Sequence, residues 1–133
     1  MQREIKFRGK HIHLSASNSH LDGRWVYGYL SDINYINSYD LGRELLVDVN
    51  TVGEYTRLKD KNTNEIYEGD ILSDGVQLWL VRHSETMCGF TATEIVDKKL
   101  DYGSCFSLYH LVNKHNCKRE VEVIGNIYDN PEL

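Results

Sequence analysis

The sequence predicts a mainly β protein: a small barrel or sandwich of short antiparallel strands with one short helix. Apolar and charged residues alternate strictly from Glu4 to Arg8, a pattern typical of a strand with one buried face. Turn-forming groups such as Asp22-Gly23 and Ser73-Asp74-Gly75 recur along the chain. Short strands separated by turn signals about every ten residues are typical of all-β folds.

The predicted strands share alternating, β-branched or aromatic residues, and they cover residues 4–8, 25–30, 45–49, 65–72, 77–82, 90–96 and 120–128. Residues 32–42 are predicted as a loop or short helical turn, 50–53 as a turn capped by Asn50, 59–64 as a polar turn and 98–104 as a loop. Residues 106–112 fit a helix and a strand equally well. The strand at 65–72 is interrupted at Gly69-Asp70, where a bulge or sharp bend is expected because glycine adopts positive φ without a Cβ clash.

Length and composition indicate one globular domain over residues 1–133, with possible sub-parts 1–50 and 51–133. The chain has 41% hydrophobic and 26% charged residues, which are ordinary values for such a domain. No apolar run approaches the roughly 20 residues of a membrane span, and the charged N-terminus lacks the apolar core of a signal peptide. We therefore expect a cytoplasmic protein without a membrane partner.

The charge distribution limits a role in nucleic-acid binding. The net charge is −5, with a balance of +3 over residues 1–30 and −6 over residues 31–75. A protein that binds phosphates would need a local basic patch, and the only candidate lies along the first predicted strand. The candidate interaction surface combines basic and aromatic residues: Arg3, Lys6, Arg8, Trp25, Tyr27 and Tyr29. Such a set could stack bases or bind a protein, while a solvated strand face and core packing are the structural alternatives.

No metal or cofactor is expected. The three cysteines, Cys88, Cys105 and Cys117, could form a zinc site only with a nearby histidine, and none of the usual CxxC or HxxxH spacings is present. An odd number of cysteines without a signal peptide also argues against a disulfide framework. We expect the three thiols to be free and buried.

Two carboxylates offer the most specific hypothesis for catalysis; a Cys–His pair is the other, but nothing in the sequence favours one cysteine over another. Glu68 and Asp70 would share one face of a strand, where they could hold a cation for a metal-assisted hydrolase. The alternative is that Asp70 accepts backbone N–H groups in the Gly-Asp turn, which is the usual role of aspartate there. The sequence favours the second interpretation, so an enzyme is not expected.

Several blocks of sequence occur together in a recognisable order. The opening blocks are Arg3-Glu4-Ile5-Lys6-Phe7-Arg8 and Trp25-Val26-Tyr27-Gly28. The central blocks lie within residues 47–71 and include Leu58-Lys59-Asp60-Lys61-Asn62 and Glu65-Ile66-Tyr67-Glu68-Gly69-Asp70-Ile71. The last block is Glu122–Leu133. In these blocks the chain closely resembles the YopX family. One departure is Arg57, where the family usually has glycine, and residues 87–118 hold no matching motif. The motif residues to which we assign structural roles are Gly53, Gly69, Asp70, Gly125 and Asn126.

The resemblance implies a small, mostly β protein encoded by bacteriophages and prophages and assembling as a homo-oligomer, and it carries over no catalytic residue. Residues 67–71 also resemble the Gly-Asp hairpin of small SH3-like barrels. We therefore expect a non-enzymatic protein in the cytoplasm of a bacterial host, acting through self-assembly and through an unknown host or phage protein. The alternative is a nucleic-acid-binding module that uses the basic first strand, and the metal-assisted hydrolase ranks third.

Overall fold

The structure, a computed structural model, describes residues 4–12, 23–96, 101–113 and 120–131. The predicted mainly β class is confirmed: the strands form two antiparallel sheets, of six and five strands, with one short helix. Within these described segments the strands close no barrel. The chain divides into two compact units, residues 1–55 and 56–133, where the sequence suggests sub-parts that meet near residue 50.

The first sheet has the strand order β4-β3-β2-β1-β5-β6. Its strands are β1 (Phe7–Lys10), β2 (Trp25–Asp32), β3 (Tyr35–Ser38), β4 (Glu44–Leu46), β5 (Gly53–Lys59) and β6 (Glu65–Tyr67). One face of β1 to β4 carries a small core of Val26, Ile36, Leu45 and Val47. Burying these branched side chains supplies the apolar driving force for the first unit.

Two predictions in this sheet are wrong. Residues 35–38 form β3 inside the predicted loop, and Ile36 pairs with both Leu30 and Leu45. The strand escapes a hydrophobicity pattern because its inward side chains are Ile36 and the polar Ser38, both buried. The turn at 50–53 is a 3-10 helix over Val49–Thr51, and its cap is Asp48, whose Oδ1 accepts from the Asn50 N–H at 3.0 Å.

The second sheet has the order β10-β9-β8-β7-β11. Its strands are β7 (Asp70–Ser73), β8 (Leu78–Ser84), β9 (Gly89–Val96), β10 (Asp101–Ser107) and β11 (Glu122–Asn126), and helix α1 spans Leu108–Asn113. The core of the second unit consists of Ile66, Leu72, Trp79, Val81, Ala92, Leu108 and Val121. Leu108, fully buried, attaches the first turn of α1 to this core.

The strand β10 corrects a further prediction. Residues 101–104 belong to this strand rather than to the predicted loop, and the ambiguous segment 106–112 divides, with strand up to Ser107 and helix from Leu108. A register shift between Tyr102 and Cys105 interrupts the pairing of β10 with β9. A bulge of this kind admits turn-forming residues into an edge strand, so the local composition resembles a loop.

The backbone of Arg57 lies in the left-handed region, with φ of 68°. At this position the resemblance noted in the sequence leads us to expect glycine, which adopts this conformation without a steric penalty. A residue with a Cβ atom pays about 1–2 kcal/mol there. The chain therefore keeps arginine in β5 at a cost in stability.

Replacing Arg57 by glycine should raise the free energy of unfolding by about 1 kcal/mol, because the backbone strain is removed. Urea denaturation of both proteins measures the change. The control is Arg82→Gly, at an exposed arginine of β8 that has no positive φ. That substitution should lower stability by roughly 0.5–1 kcal/mol, because glycine weakens an extended strand. A loss of stability in both variants would contradict the strain assigned to Arg57.

Candidate functional site

The first sheet collects the predicted surface residues on one face. In the antiparallel pairing of β1 with β2, Arg8 lies opposite Tyr27 and Lys10 opposite Trp25. Residues two apart in a strand point to the same side, so Lys6 joins Arg8 and Lys10, and Tyr29 joins the other aromatic residues. We call this set the aromatic–basic face: Lys6, Arg8, Lys10, Trp25, Tyr27, Tyr29 and Tyr55. Arg3, the remaining predicted member, lies outside the described residues.

The cations of this face are stacked on its aromatic rings. The guanidinium carbon of Arg8 lies 4.6 Å from the ring centroid of Trp25, and Lys10 Nζ lies 5.5 Å from the same ring. Lys6 Nζ lies 5.2 Å from the ring of Tyr55 and 3.0 Å from Glu4 Oε1. These separations are within the roughly 6 Å over which a ring face attracts a cation. The basic strand is therefore held by contacts within the chain.

The members of the aromatic–basic face differ in solvent exposure. Arg8 is only 6% exposed, so the alternative of a solvated strand face is wrong at this position. On β5 its neighbour across the sheet is Gly53, which places no side chain beside it. Tyr29, by contrast, is 58% exposed and Tyr39 is 45% exposed. Within the face, Tyr29 is therefore the member most open to solvent, and Tyr39 lies beside it as a second exposed tyrosine.

Tyr29 and Tyr39 form a pair at this open part. Their rings meet edge to face with centroids 4.9 Å apart, an arrangement favoured by aromatic quadrupoles. Desolvation, followed by the hydrogen bond with Tyr29, raises the pKa of Tyr39 to about 12. The Tyr39 hydroxyl is protonated at neutral pH, as an ordinary tyrosine also is, and can donate as well as accept.

The turn between β6 and β7 uses the predicted Gly-Asp pair. Asp70 is buried, and its Oδ2 accepts from the Tyr67 N–H at 2.7 Å. Glu68 lies in the turn and not beside Asp70 in a strand, so the shared strand face required by the hydrolase hypothesis is not formed. Gly69 has φ of 94°, and a Cβ there would lie 2.9 Å from a ring carbon of Tyr128. Glycine at this position therefore permits both the turn and the close approach of the ring.

The C-terminal motif folds into a second polar turn. Oδ1 of Asn126 accepts from the N–H groups of Tyr128 and Asp129, at 3.0 and 2.8 Å. The Asn126 N–H in turn donates to Asn130 Oδ1 at 3.2 Å. A Cβ at Gly125 would lie 2.5 Å from that same oxygen, so Gly125 leaves room for the returning chain.

Asp60 has a structural role that the sequence analysis does not single out. Its Oδ1 accepts from the N–H groups of Asn62 and Asn64, at 2.9 and 2.8 Å, and its Oδ2 accepts from the Val123 N–H at 2.8 Å. Burial of the carboxylate acts to raise its pKa, but these backbone donors outweigh that effect and hold the pKa of Asp60 below its usual value. In the sequence, Asp60 is marked by its alternation with Asn62 and Asn64 in the polar turn and by its place in the block at residues 58–62.

Comparison with known protein families identifies the family to which this chain belongs. The family model described as YopX protein matches residues 7–133. The chain belongs to the YopX family. The resemblance expected from the sequence is thereby confirmed. A search of curated proteins gives no match.

The YopX blocks of the second unit contact one another. The block at residues 58–62 contributes Asp60, which binds Val123 of the closing block. The block at 65–71 contributes Gly69, whose carbonyl accepts from the Ile127 N–H at 3.0 Å. In this unit, residues of the YopX blocks therefore form a hydrogen-bonded framework.

The structural findings on metal sites and membrane spans concern only the part of the YopX chain that the structure describes. Within it, no three His, Cys, Asp or Glu residues are grouped so as to hold a metal ion. Cys88 and Cys105 are exposed free thiols, so the expected burial is wrong for both, and Cys117 lies outside the described residues. No helix in the described segments is long and apolar enough to cross a membrane.

The stacking of Arg8 on Trp25 can be measured by a double-mutant cycle. We expect Arg8→Met and Trp25→Leu each to lower the free energy of unfolding, with a coupling of about 0.5–2 kcal/mol because each removes the same cation–π contact. Urea denaturation of the single and double variants gives the coupling. The matched cycle, Arg82→Met with Trp25→Leu, should give a coupling near zero. Additive effects of Arg8→Met and Trp25→Leu would show that the stacking adds no stability.

Asp60→Asn should lower the free energy of unfolding by about 2 kcal/mol at pH 7, because an amide cannot accept from donors on both sides of the group. Since folding lowers the pKa of Asp60, its stabilising effect is present above the unfolded pKa of about 3.9 and is lost as pH falls through the folded pKa. The difference between wild type and variant should therefore shrink below about pH 4.

Denaturant titrations at several pH values test this expectation. The control is Asp48→Asn, where the amide keeps an oxygen for the single bond from Asn50, so a change below about 0.5 kcal/mol is expected. An Asp60→Asn difference that is the same at pH 7 and at pH 2 would contradict the role given to the carboxylate.

Proposed function

We propose that this YopX protein is a non-enzymatic binding protein, encoded by a phage or prophage and acting in the cytoplasm of the bacterial host. It binds protein surfaces through the aromatic–basic face, either of a second copy of itself or of a host or phage protein. The observation that carries this proposal is the collection of Trp25, Tyr27 and Tyr29 on one sheet face with the basic side chains of β1.

The composition and burial of the face favour a protein partner. Tyrosine, tryptophan and arginine are the residues enriched in protein interfaces and among their strongest contributors. The exposed members of the area are Tyr29 and its neighbour Tyr39, which offer large rigid surfaces with polar hydroxyl groups. The stacking of Arg8 under Trp25 keeps the sheet surface rigid, which lowers the entropy lost on binding.

Self-assembly is the simplest form of this function. Residues 1–30 carry a charge of +3 and residues 31–75 a charge of −6, so the chain has charges of both signs that a second copy could match. Complementary charges of this kind increase association rates and fix the orientation of partners. The proposed state is therefore a homo-oligomer, in line with the expectation for the YopX family.

A second candidate is binding of single-stranded nucleic acid. It is favoured by the position of Arg8 and Lys10 over the ring of Trp25, because aromatic rings beside cations on a sheet are the usual stacking platform for bases. Two observations place it second. The net charge is −5, which repels a polyanion, and Arg8 is nearly buried.

The proposal that the protein is not an enzyme rests on the role of Asp70, one of the two carboxylates of the hydrolase hypothesis. Asp70 is buried and bonded to the Tyr67 N–H, so its lone pairs serve the turn. We interpret residues 67–71 as an SH3-like hairpin, supported by this tight turn between β6 and β7. Because SH3-like elements occur in proteins of many activities, the hairpin adds nothing to the assignment of function.

The first test is solution mass by size-exclusion chromatography with light scattering. We expect an oligomer, which Tyr29→Ala weakens at least about tenfold, as for a tyrosine that contributes strongly to an interface. The control is Tyr109→Ala, which removes an exposed tyrosine of the second unit and should leave the mass unchanged.

If the wild type is a monomer, capture of partners from infected cells replaces the mass as the readout. Tyr29→Ala should then lose a partner that Tyr109→Ala retains. Unchanged mass and unchanged partners in Tyr29→Ala and Trp25→Ala would refute the proposal. A gel shift with single-stranded probes that disappears steeply with added salt would establish the second candidate instead.

A further inference from the structure

The first unit contains a small pocket between the start of β2 and the loop that joins β3 to β4. Among the described residues that line it, only Arg24 and Asp40 have charged side chains, so we call it the Arg24–Asp40 pocket. Its cavity measures about 20 Å³, which is room for one water molecule. Sites for small organic ligands measure about 300–1,000 Å³. The pocket is therefore part of a contact surface rather than a site for a small molecule.

The two charges of this pocket are open to solvent. Arg24 and Asp40 are both exposed residues. Within the segments that the structure describes, neither side chain forms an ion pair or a hydrogen bond, and the two do not pair with each other. A cation and an anion are thus presented side by side, and each can still bind a group from outside the chain.

Backbone hydrogen bonds hold both charges in place. The carbonyl of Arg24 accepts from the His11 N–H at 2.9 Å, which fixes the start of β2 against the end of β1. In the loop that carries Asp40, the Oγ of Ser38 accepts from the Leu41 N–H at 3.1 Å. A surface that is ordered before contact loses less conformational entropy when a partner binds.

Apolar and aromatic residues surround the two charges. Leu41, which follows Asp40 in the loop, lines the pocket and is 44% exposed. Trp25 and Tyr27, two members of the aromatic–basic face, line the pocket as well. The pocket is therefore continuous with the face to which we assign protein binding.

The presence of both charges at one pocket selects a second copy of this chain as the partner. In a two-fold contact the same surface of two copies meets, so residue i contacts residue j and residue j contacts residue i. Arg24 of each copy then lies opposite Asp40 of the other, and both charges are matched. A nucleic acid would be repelled by Asp40, and a uniformly acidic or basic partner would match only one of the two charges.

We propose that two copies of the chain associate across the Arg24–Asp40 pocket, in a two-fold contact with reciprocal ion pairs between Arg24 and Asp40. The exposed Leu41 adds apolar contact beside these pairs. This inference rests on the proposed self-assembly and specifies which residues of the two copies meet. The ion pairs fix the orientation of the copies, which the aromatic rings alone do not.

Charge reversal tests this contact, with size-exclusion chromatography and light scattering as the readout. Arg24→Glu and Asp40→Arg should each raise the dissociation constant of the assembly at least about tenfold, because each places like charges opposite one another at two symmetric positions. The double variant Arg24→Glu/Asp40→Arg restores opposite charges and should return to within about threefold of wild type. An equimolar mixture of the two single variants should associate for the same reason.

The matched controls are Lys59→Glu and Glu85→Arg, which make the same changes in net charge at exposed residues of the second unit and should leave the mass unchanged. Recovery in the double variant also excludes misfolding as the cause of dissociation. Single variants that assemble as wild type does, or a double variant and a mixture that do not recover, would overturn the inference.

The outcome also separates this contact from the proposed function. If Tyr29→Ala weakens the assembly while Arg24→Glu does not, the aromatic–basic face is the interface and the two-fold contact at the pocket is wrong. A monomeric wild type would likewise overturn the contact, while leaving binding of a host or phage protein as the function of the face.

Discussion

The hydrogen bonds of Asp60 are the constraint on which the second unit depends. A single carboxylate accepts N–H groups from its own turn and from Val123, which is 63 residues further along the chain. Without this acceptor, the N–H groups of Asn62, Asn64 and Val123 would lose their partner, and a donor that stays buried costs about 1–3 kcal/mol. The polar turn between β5 and β6 is therefore tied to β11, which pairs with β7 at the edge of the second sheet.

The second link between these distant segments is made at Gly69. Its carbonyl accepts from Ile127, and the ring of Tyr128 lies against its Cα. These contacts join the β6–β7 turn to the closing turn that follows β11. The framework thus contains two links, one from the β5–β6 turn to β11 and one from the β6–β7 turn to the turn that follows β11, and both use residues of the YopX blocks. The aromatic–basic face, which we connect with binding, lies outside this framework.

Strands with one buried face were predictable from sequence because their side chains alternate. The strands β1, β2, β8, β9 and β11 all correspond to predicted segments. Prediction failed at β3, where the buried Ser38 breaks the apolar pattern, and at residues 101–104, where a bulged edge strand has the composition of a loop. In both cases pairing with neighbouring strands outweighs the local preference of the residues.

The candidate sites were predictable to different degrees. The two-residue period places Lys6 and Arg8 on one face, and likewise Trp25, Tyr27 and Tyr29. The stacking of Arg8 and Lys10 on the same indole depends on the β1–β2 register, which the residues of either strand alone do not specify. The bond from Asp60 to Val123 joins residues 63 positions apart, so the local pattern of the polar turn could not indicate this partner.

The pairing of β11 with β7 also has a consequence for the order of folding during synthesis. The core of the first unit is formed by residues 7–52, so it can assemble as soon as these have left the ribosome. The second sheet must wait for residues 122–126, because β11 pairs with a strand that begins at Asp70. At about 5–20 residues per second, this leaves one edge of β7 unpaired for a few seconds in each round of translation. During that interval the edge is open to another strand, and nascent chains on neighbouring ribosomes are the nearest source of one.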